Sequence, residues 1–216
     1  MLQNRVDPWG VIITTSARGA WMGNRGVLHD EHQTIRRPFK LKAWITCVLQ
    51  FKGRHRKVMS PDRWTELFFL DEATSLAAGH RPCFECRRND AVRFKKFWLK
   101  GNPEYGFNEG TSIGEIDKII HGERIDKRGG KVTYEEMADR LPDGSFVEIE
   151  GKAYVVAQRK IFRWSPFGYE NGQTLPEGRR VKVLTPASIV RTIRAGYVVQ
   201  INDHSAATPA AEIPSN

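Results

Sequence analysis

Two of the chain's three cysteines, Cys83 and Cys86, stand close together in the stretch GHRPCFECRR. A C-x-x-C pair is typical of half a zinc site or of a redox dithiol, and it also occurs as two inert core residues. A thioredoxin-like dithiol directly follows a strand, whereas a helix and Gly79 are predicted just before this pair. The spacing therefore favours a metal site. A closed zinc site needs four donors, and Cys47 is the one cysteine that remains.

The cysteine pair is predicted to open a helix, because Pro82 suits the first helical position. This helix is expected to cover residues 83–100, and free amides and the helix dipole stabilise thiolates at its start. Just before it, Asp71 is predicted to cap a short helix that Gly79 ends. Apolar and β-branched runs predict earlier strands at 9–15, 43–51 and 64–70, with a basic return strand after a turn at Gly53.

The second half of the chain is predicted to add further helices and strands. Ser112 and Thr133 each stand three residues before a glutamate, which is the capping-box pattern of a helix start. Residues 145–164 predict a hairpin that turns at Gly151. The sequence also predicts a strand at 181–184 and a helix at 187–195. The resulting fold class is α+β, with a small mixed or antiparallel sheet and flanking helices.

The stretch ELFFLDEATSLAAGHRPCFECRR resembles the second half of the N-terminal metal-binding domain of the bacterial Ada DNA repair family. That domain has a strand ending in two aromatic residues, an alanine-rich helix, and a G-aromatic-R-P-C-x-x-C run. Phe68 and Phe69 match the strand end, and the residues from Gly79 to Cys86 match the run, with His80 at the aromatic position. The resemblance covers residues 43–88 and implies a zinc-stabilised, DNA-binding protein linked to DNA repair.

The same resemblance implies three zinc ligands, which are Cys47, Cys83 and Cys86. In the Ada family an upstream C-x-x-x-C pair completes the site, and its first cysteine accepts a methyl group from a DNA phosphotriester. Cys47 matches that first cysteine, but Phe51 stands where the family has the second. The fourth ligand of the Zn²⁺ ion is therefore open. Our first candidate is His55, and the alternatives are His80 and His29.

A zinc enzyme is the second hypothesis. His29 and Glu31, together with Cys83 and Cys86, spell the H-x-E…P-C-x-x-C pattern of zinc deaminases. In that chemistry His29 and the two cysteines hold zinc, and Glu31 moves protons for the metal-bound water. The predicted helix between strand and cysteines argues against this pattern, so we prefer a mainly structural zinc.

The formal net charge of +9 favours an anionic partner, and nucleic acid, in particular DNA, is the first choice. If the region around the cysteines folds as the resemblance implies, several arginines lie on one side of the metal and can follow a phosphate backbone. The same residues can instead form a solvated basic face. They are Arg54, Arg56, Arg81, Arg87 and Arg88.

The chain is predicted to divide into four segments: 1–39 as a strand and glycine-rich loop, 40–102 as the metal-binding module, 103–203 as an α+β region, and 204–216 as a disordered tail. No apolar run approaches the ~18 residues of a membrane span. The start MLQNRVDPWG lacks a signal-peptide pattern, and an odd, small number of cysteines argues against a disulfide framework. These observations predict a cytoplasmic protein with no membrane partner.

Overall fold

The structure, a computed structural model, describes residues 1–54, 57–170, 172–176 and 178–202. Within these residues the chain is a mixed α+β protein with two sheets and four α-helices, which agrees with the predicted fold class. None of the described helices is long and apolar enough to cross a membrane. The predicted tail at 204–216 lies outside the described residues.

The first sheet is mixed and holds the N-terminal part of the chain. Its strand order is β2-β1-β5-β3-β4-β6, and the pairs β1–β5 and β4–β6 are parallel while the others are antiparallel. The sheet therefore draws strands from both sides of residue 39, and the predicted boundary there stays a prediction. The strands are β1 (Gln3–Val6), β2 (Ile12–Thr14), β3 (Trp21–Asn24), β4 (Ile45–Cys47), β5 (Leu67–Phe69) and β6 (Arg81–Pro82).

The second sheet is antiparallel and is built from the C-terminal half of the chain. Its order is β11-β10-β9-β8-β13-β7, and β12 pairs with β10. The predicted hairpin is confirmed, because β8 and β9 pair with Ile149 opposite Lys152 across the turn at Gly151. The strands are β7 (Tyr134–Met137), β8 (Phe146–Ile149), β9 (Lys152–Ala157), β10 (Lys160–Ser165), β11 (Gly168–Tyr169), β12 (Gln173–Thr174) and β13 (Arg180–Val183).

Four helices pack against these sheets, and they are α1 (Glu72–Ala77), α2 (Arg88–Gly101), α3 (Ile113–Arg124) and α4 (Ala187–Arg194). The start of α1 is as predicted, because the Asp71 carboxylate accepts a hydrogen bond from the Thr74 amide at 2.7 Å. Gly79 follows the helix with φ of +85°, a conformation that favours glycine. Asp71 also accepts from the Tyr169 hydroxyl at 2.6 Å, which ties α1 to the second sheet.

Three predictions about elements away from the C-x-x-C pair are wrong. Thr133 does not open a helix, because the residues after it form β7 at the edge of the second sheet beside β13. Thr185 does not cap α4, since its hydroxyl accepts from the Phe146 amide at 2.9 Å instead. The return strand after Gly53 is absent from the described residues there, where 57–66 form turns and bends. In each case a tertiary partner or a local turn overrides the short-range pattern.

Candidate metal centre

The three cysteines come together at one edge of the first sheet. Cys47 ends β4, and β6 runs parallel to β4 with Pro82 opposite Thr46. The next residues of both strands, Cys47 and Cys83, therefore leave the sheet side by side, and the Cys83 amide donates to the Thr46 carbonyl at 3.0 Å. The sulfur atoms of Cys47, Cys83 and Cys86 all lie within 4.8 Å of one another. This cluster can hold a metal ion.

The C-x-x-C pair lies in a tight turn rather than in a helix. Helix α2 begins at Arg88, so the predicted start at Cys83 is wrong. The reason is that Pro82 belongs to β6 at the edge of the sheet, where a missing amide costs no ladder hydrogen bond. The turn closes when the Arg87 amide donates to the Cys83 carbonyl at 3.0 Å. The Glu85 amide donates to the Cys83 sulfur at 3.3 Å, which stabilises a thiolate there.

The three thiols differ in pKa because they lie close together and hydrogen-bond to one another unequally. The pKa of Cys83 is lowered to about 5, first because the Cys47 thiol donates to its sulfur and then because backbone amides do so. The pKa of Cys47 is raised, since the neighbouring Cys83 sulfur holds its proton and burial disfavours its charge. Burial also raises the pKa of Cys86. The cluster without metal therefore carries one thiolate, and a metal ion must displace the other protons.

We expect the metal-free protein to carry about one thiolate per chain between about pH 6 and pH 8. On acid titration, its ultraviolet thiolate absorbance should fall with a midpoint near pH 5, the pKa of Cys83. Because that pKa is depressed by folding, its contribution to stability is complete above the unfolded pKa of about 8.5. The contribution declines as the pH falls and is lost below the folded pKa of about 5. The Cys83→Ser variant should lack this absorbance step, and a midpoint near the ordinary cysteine pKa would contradict the geometry.

The cysteines open on a cleft of about 490 Å³. Cys47 and Cys83 are buried, while Cys86 is half-buried. Apolar and aromatic side chains form most of the wall, and polar groups such as Arg54 and Glu85 lie among them. Arg54 donates to the Glu85 carboxylate at 2.9 Å, and both side chains are exposed. The cleft was not predicted from the sequence, because its other lining residues come from segments with no common motif: Met22, Asn24, Ile45, Val48, Leu49, Gln50, Phe51, Val58, Trp64, Glu66 and Phe68.

Neither His29 nor His80 joins the cysteine cluster. The two ring nitrogens of His29 lie 2.7 Å from the Thr65 hydroxyl and 3.1 Å from the Ser60 carbonyl. His80 is fully buried against the ring of Phe69, and its Nε2 accepts from the Arg25 guanidinium at 3.2 Å. The predictions of His29 and His80 as alternative ligands of the metal are therefore wrong. The first candidate, His55, lies outside the described residues.

Two of the five arginines predicted to contact phosphate are turned inward. Arg81 forms a two-pronged ion pair with Asp117, with both N···O distances at 2.8 Å, and both side chains are about 5% exposed. Arg87 donates to Glu72 at 2.6 Å in an equally buried pair. The prediction is wrong for Arg81 and Arg87, because a guanidinium held by a buried carboxylate cannot reach a phosphate. Arg54 and Arg88 are exposed, and Arg56 lies outside the described residues.

The carboxylates that hold these arginines were also missed by sequence reasoning. Asp117 lies on α3, 36 residues after Arg81, and Glu72 lies on α1, 15 residues before Arg87. The pairs fix β6 and the start of α2 on either side of the C-x-x-C turn, so they position the cysteines. No local pattern marks a carboxylate whose partner is so distant in sequence.

Comparison of the chain with protein-family models, with curated proteins and with solved structures finds no match in any of the three. The donor set itself is informative, because three thiols at one point suit zinc, a borderline-soft ion that structural sites bind through sulfur and histidine nitrogen.

Proposed function

We propose that the chain is a zinc-binding, DNA-binding protein in which the Zn²⁺ ion is mainly structural. The observation that carries the zinc assignment is the grouping of the Cys47, Cys83 and Cys86 sulfurs within 4.8 Å. Zinc held by these three residues joins the end of β4 to the turn before α2. The contribution of zinc in such a site is to hold chain segments together, and the buried pairs Arg81–Asp117 and Arg87–Glu72 support the same turn from both sides.

We propose His55 as the fourth ligand. Residues near it on both sides in sequence, Arg54 and Val58, line the cleft on which the cysteines open. Imidazole nitrogen is a usual partner of three cysteine sulfurs in structural zinc sites. The resemblance to the Ada metal-binding domain supports the same overall site, with histidine replacing one cysteine of the family's upstream pair.

DNA is the proposed partner because the segments that adjoin the cysteines in sequence carry exposed cations, one of which, Arg54, lines the cleft. Lys52, Arg54 and Lys57 are exposed on the loop beside it, and Arg88 and Arg93 are exposed on the first turns of α2. The formal net charge of +9 adds a general attraction for polyanions. A role in DNA repair follows from the Ada resemblance alone, and the burial of Cys47 favours a ligand over a methyl acceptor.

The test combines metal analysis with DNA binding. Protein purified without added zinc should contain about one zinc per chain. Its affinity for duplex DNA should fall steeply with salt, and the Arg54→Gln and Arg88→Gln variants should each lower the slope of log affinity against log salt by about one. Fluorescence anisotropy at several salt concentrations measures this slope. The matched control is Arg180→Gln, since Arg180 is exposed on the second sheet and has the same charge.

The two parts of the proposal fail separately. Protein without bound metal would exclude the zinc site but leave DNA binding to be measured. Equal slopes for the Arg54→Gln, Arg88→Gln and Arg180→Gln variants would exclude Arg54 and Arg88 from the DNA surface and leave the zinc site intact.

A zinc enzyme is a second candidate, favoured by the fact that three ligands group within the described residues and open on a cleft. A catalytic zinc keeps three protein ligands and an open position. The version with His29 and Glu31 is excluded, because both ring nitrogens of His29 are engaged by Thr65 and Ser60. The absorption spectrum of the cobalt-substituted protein decides between the candidates. A His55→Ala variant with an altered spectrum supports the four-ligand site, and an unchanged spectrum supports an open position.

A further inference from the structure

A second group of charged residues lies away from the cysteines, around the indole ring of Trp44. Arg25 is 0% exposed and Arg124 is 2% exposed. The guanidinium carbon of each lies 3.8 Å from the centre of the Trp44 ring. Two arginines that share one buried aromatic ring repel each other, and such an arrangement usually contains an anion that offsets the charge.

The hydrogen bonds of these arginines go to neutral acceptors. Arg25 donates to the carbonyls of Gly10 and Pro38 and to the His80 ring. Arg124 donates to the carbonyls of Gly79 and Lys42 and contacts the His121 ring. Arg25 Nη2 and Arg124 Nε are buried, and no hydrogen-bond partner of either occurs in the part of the chain that the structure describes. Both arginines therefore keep unused donor capacity.

Lys131 adds a third cation to the group. Its ammonium donates to the Ala77 carbonyl at 2.5 Å. Burial, and then the nearby Arg25, lower the pKa of Lys131 to about 7. Asp7 is the carboxylate that acts on both Arg25 and Lys131, while Asp117 is held by Arg81. With Lys131 about half protonated at pH 7, the three basic groups and the Asp7 carboxylate leave an excess of positive charge among the described residues.

These cations line a second cleft of about 420 Å³. Gly10 also lines this cleft, and a Cβ atom built on it would lie 3.8 Å from Arg25 Nη2, so the unpartnered donor lies directly behind the cleft wall. Arg37 is exposed at the cleft. The remaining wall is mostly apolar and includes Trp9, Ile12, Ile35 and Ile125. A ligand of this cleft needs an anionic head and an apolar or aromatic body.

We propose that this second cleft binds a phosphate monoester, with its phosphate against Arg25, Arg124 and Lys131. A phosphate monoester carries a charge of about −1.5 to −2 and three strong acceptor oxygens, which suits the excess positive charge and the unused donors. A carboxylate supplies one charge and fits less well. The monoester can belong to a free nucleotide or to the 5′ end of a nucleic acid strand. The proposal uses none of the zinc ligands and stands independently of the proposed function.

The experiment is calorimetric titration of the full chain at constant ionic strength. The probes are inorganic phosphate, adenosine 5′-monophosphate and adenosine, followed by one oligonucleotide with and without a 5′-phosphate. We expect saturable 1:1 binding of phosphate and of the monophosphate, and at least tenfold weaker binding of adenosine. If the source is a strand end, the phosphorylated oligonucleotide binds at least tenfold more tightly than its unphosphorylated form. If the source is a free nucleotide, the 5′-phosphate does not change the affinity of the oligonucleotide.

Two variants test the assigned residues. Lys131→Met should weaken phosphate binding at least tenfold, and Arg37→Gln, whose exposed side chain is remote from the core, should weaken it about threefold. The matched control is Lys152→Met, because Lys152 is exposed on the second sheet. Removing an uncompensated cation should leave the unfolding midpoint of Lys131→Met unchanged or raised in phosphate-free buffer.

Several results would overturn the proposal. These are no saturable phosphate binding, affinity of both variants within twofold of the parent chain, or adenosine binding as tightly as adenosine 5′-monophosphate. A Lys131→Met variant that no longer folds would assign the lysine to the fold and would also count against the site. In that event Arg37→Gln still decides whether phosphate binds at this cleft.

Discussion

Replacing Cys83 by serine is expected to abolish zinc binding and to lower the unfolding midpoint of the purified protein by about 6–12 °C. Cys83 is the most acidic of the three cysteines, because its sulfur accepts hydrogen bonds from the Cys47 thiol and from the Glu85 amide. Loss of a structural zinc ligand costs about 3 kcal/mol or more, and each kcal/mol corresponds to about 2–4 °C for a chain of this length. Differential scanning calorimetry and metal analysis measure the two effects.

The control for this prediction is Met22→Leu, which alters the wall of the same cleft without removing a donor. It should keep about one zinc per chain, and its midpoint should move by less than about 4 °C. Chelation of the parent chain should bring its midpoint close to that of Cys83→Ser, since both then lack the ion. A serine variant that retains stoichiometric zinc would remove Cys83 from the ligand set.

Replacing Asp117 by asparagine is expected to lower the unfolding midpoint by about 6–20 °C. The change leaves the Arg81 guanidinium buried, with its two-pronged carboxylate partner gone. Breaking one side of a buried pair costs about 3–5 kcal/mol, because an uncompensated charge stays in the interior. Arg81 lies in β6 directly before Pro82 and Cys83, so zinc affinity should fall in the same variant.

Helix α3 supplies a matched control for the Asp117 prediction. Glu115 lies two residues earlier and pairs with Lys118 at 2.7 Å, but both side chains are about half exposed. Glu115→Gln should therefore change the free energy of unfolding by less than about 0.5 kcal/mol. Similar shifts for Asp117→Asn and Glu115→Gln would show that burial does not set the strength of the Arg81 pair.

Much of the region around the cysteines follows from short-range rules. The cap at Asp71, the end of α1 at Gly79 and the hairpin at Gly151 depend on residues that are neighbours in sequence. The grouping of Cys47 with the C-x-x-C pair was predicted only through the Ada resemblance, since the contact depends on parallel pairing of β4 and β6. The sequence of a strand does not indicate which other strand pairs with it in parallel.

The arginines show why the rest of the site could not be predicted. Arg81 and Arg88 look equally basic in the sequence, yet Arg81 is buried against α3 while Arg88 is exposed. The partner that decides this is Asp117, 36 residues away. The same holds for the cations around Trp44, which come from two distant segments, one with Arg25 and the other with Arg124 and Lys131. The sequence gives the number of cationic side chains, whereas only the three-dimensional structure shows which of them are exposed to water.

The pairing of β4 with β6 has a consequence for handling the protein. β6 is a two-residue strand at the end of the first sheet, and among the described residues it is the strand that pairs with the outer side of β4. Pro82 has no amide hydrogen to donate on the outer side of β6, so this edge of the sheet is a poor template for pairing with another chain. If the turn at Cys83 loosens when metal is withdrawn, the hydrogen-bonding edge of β4 becomes free to pair between molecules. Zinc-depleted preparations should therefore precipitate through edge-to-edge association, and yield during expression should depend on the zinc content of the medium.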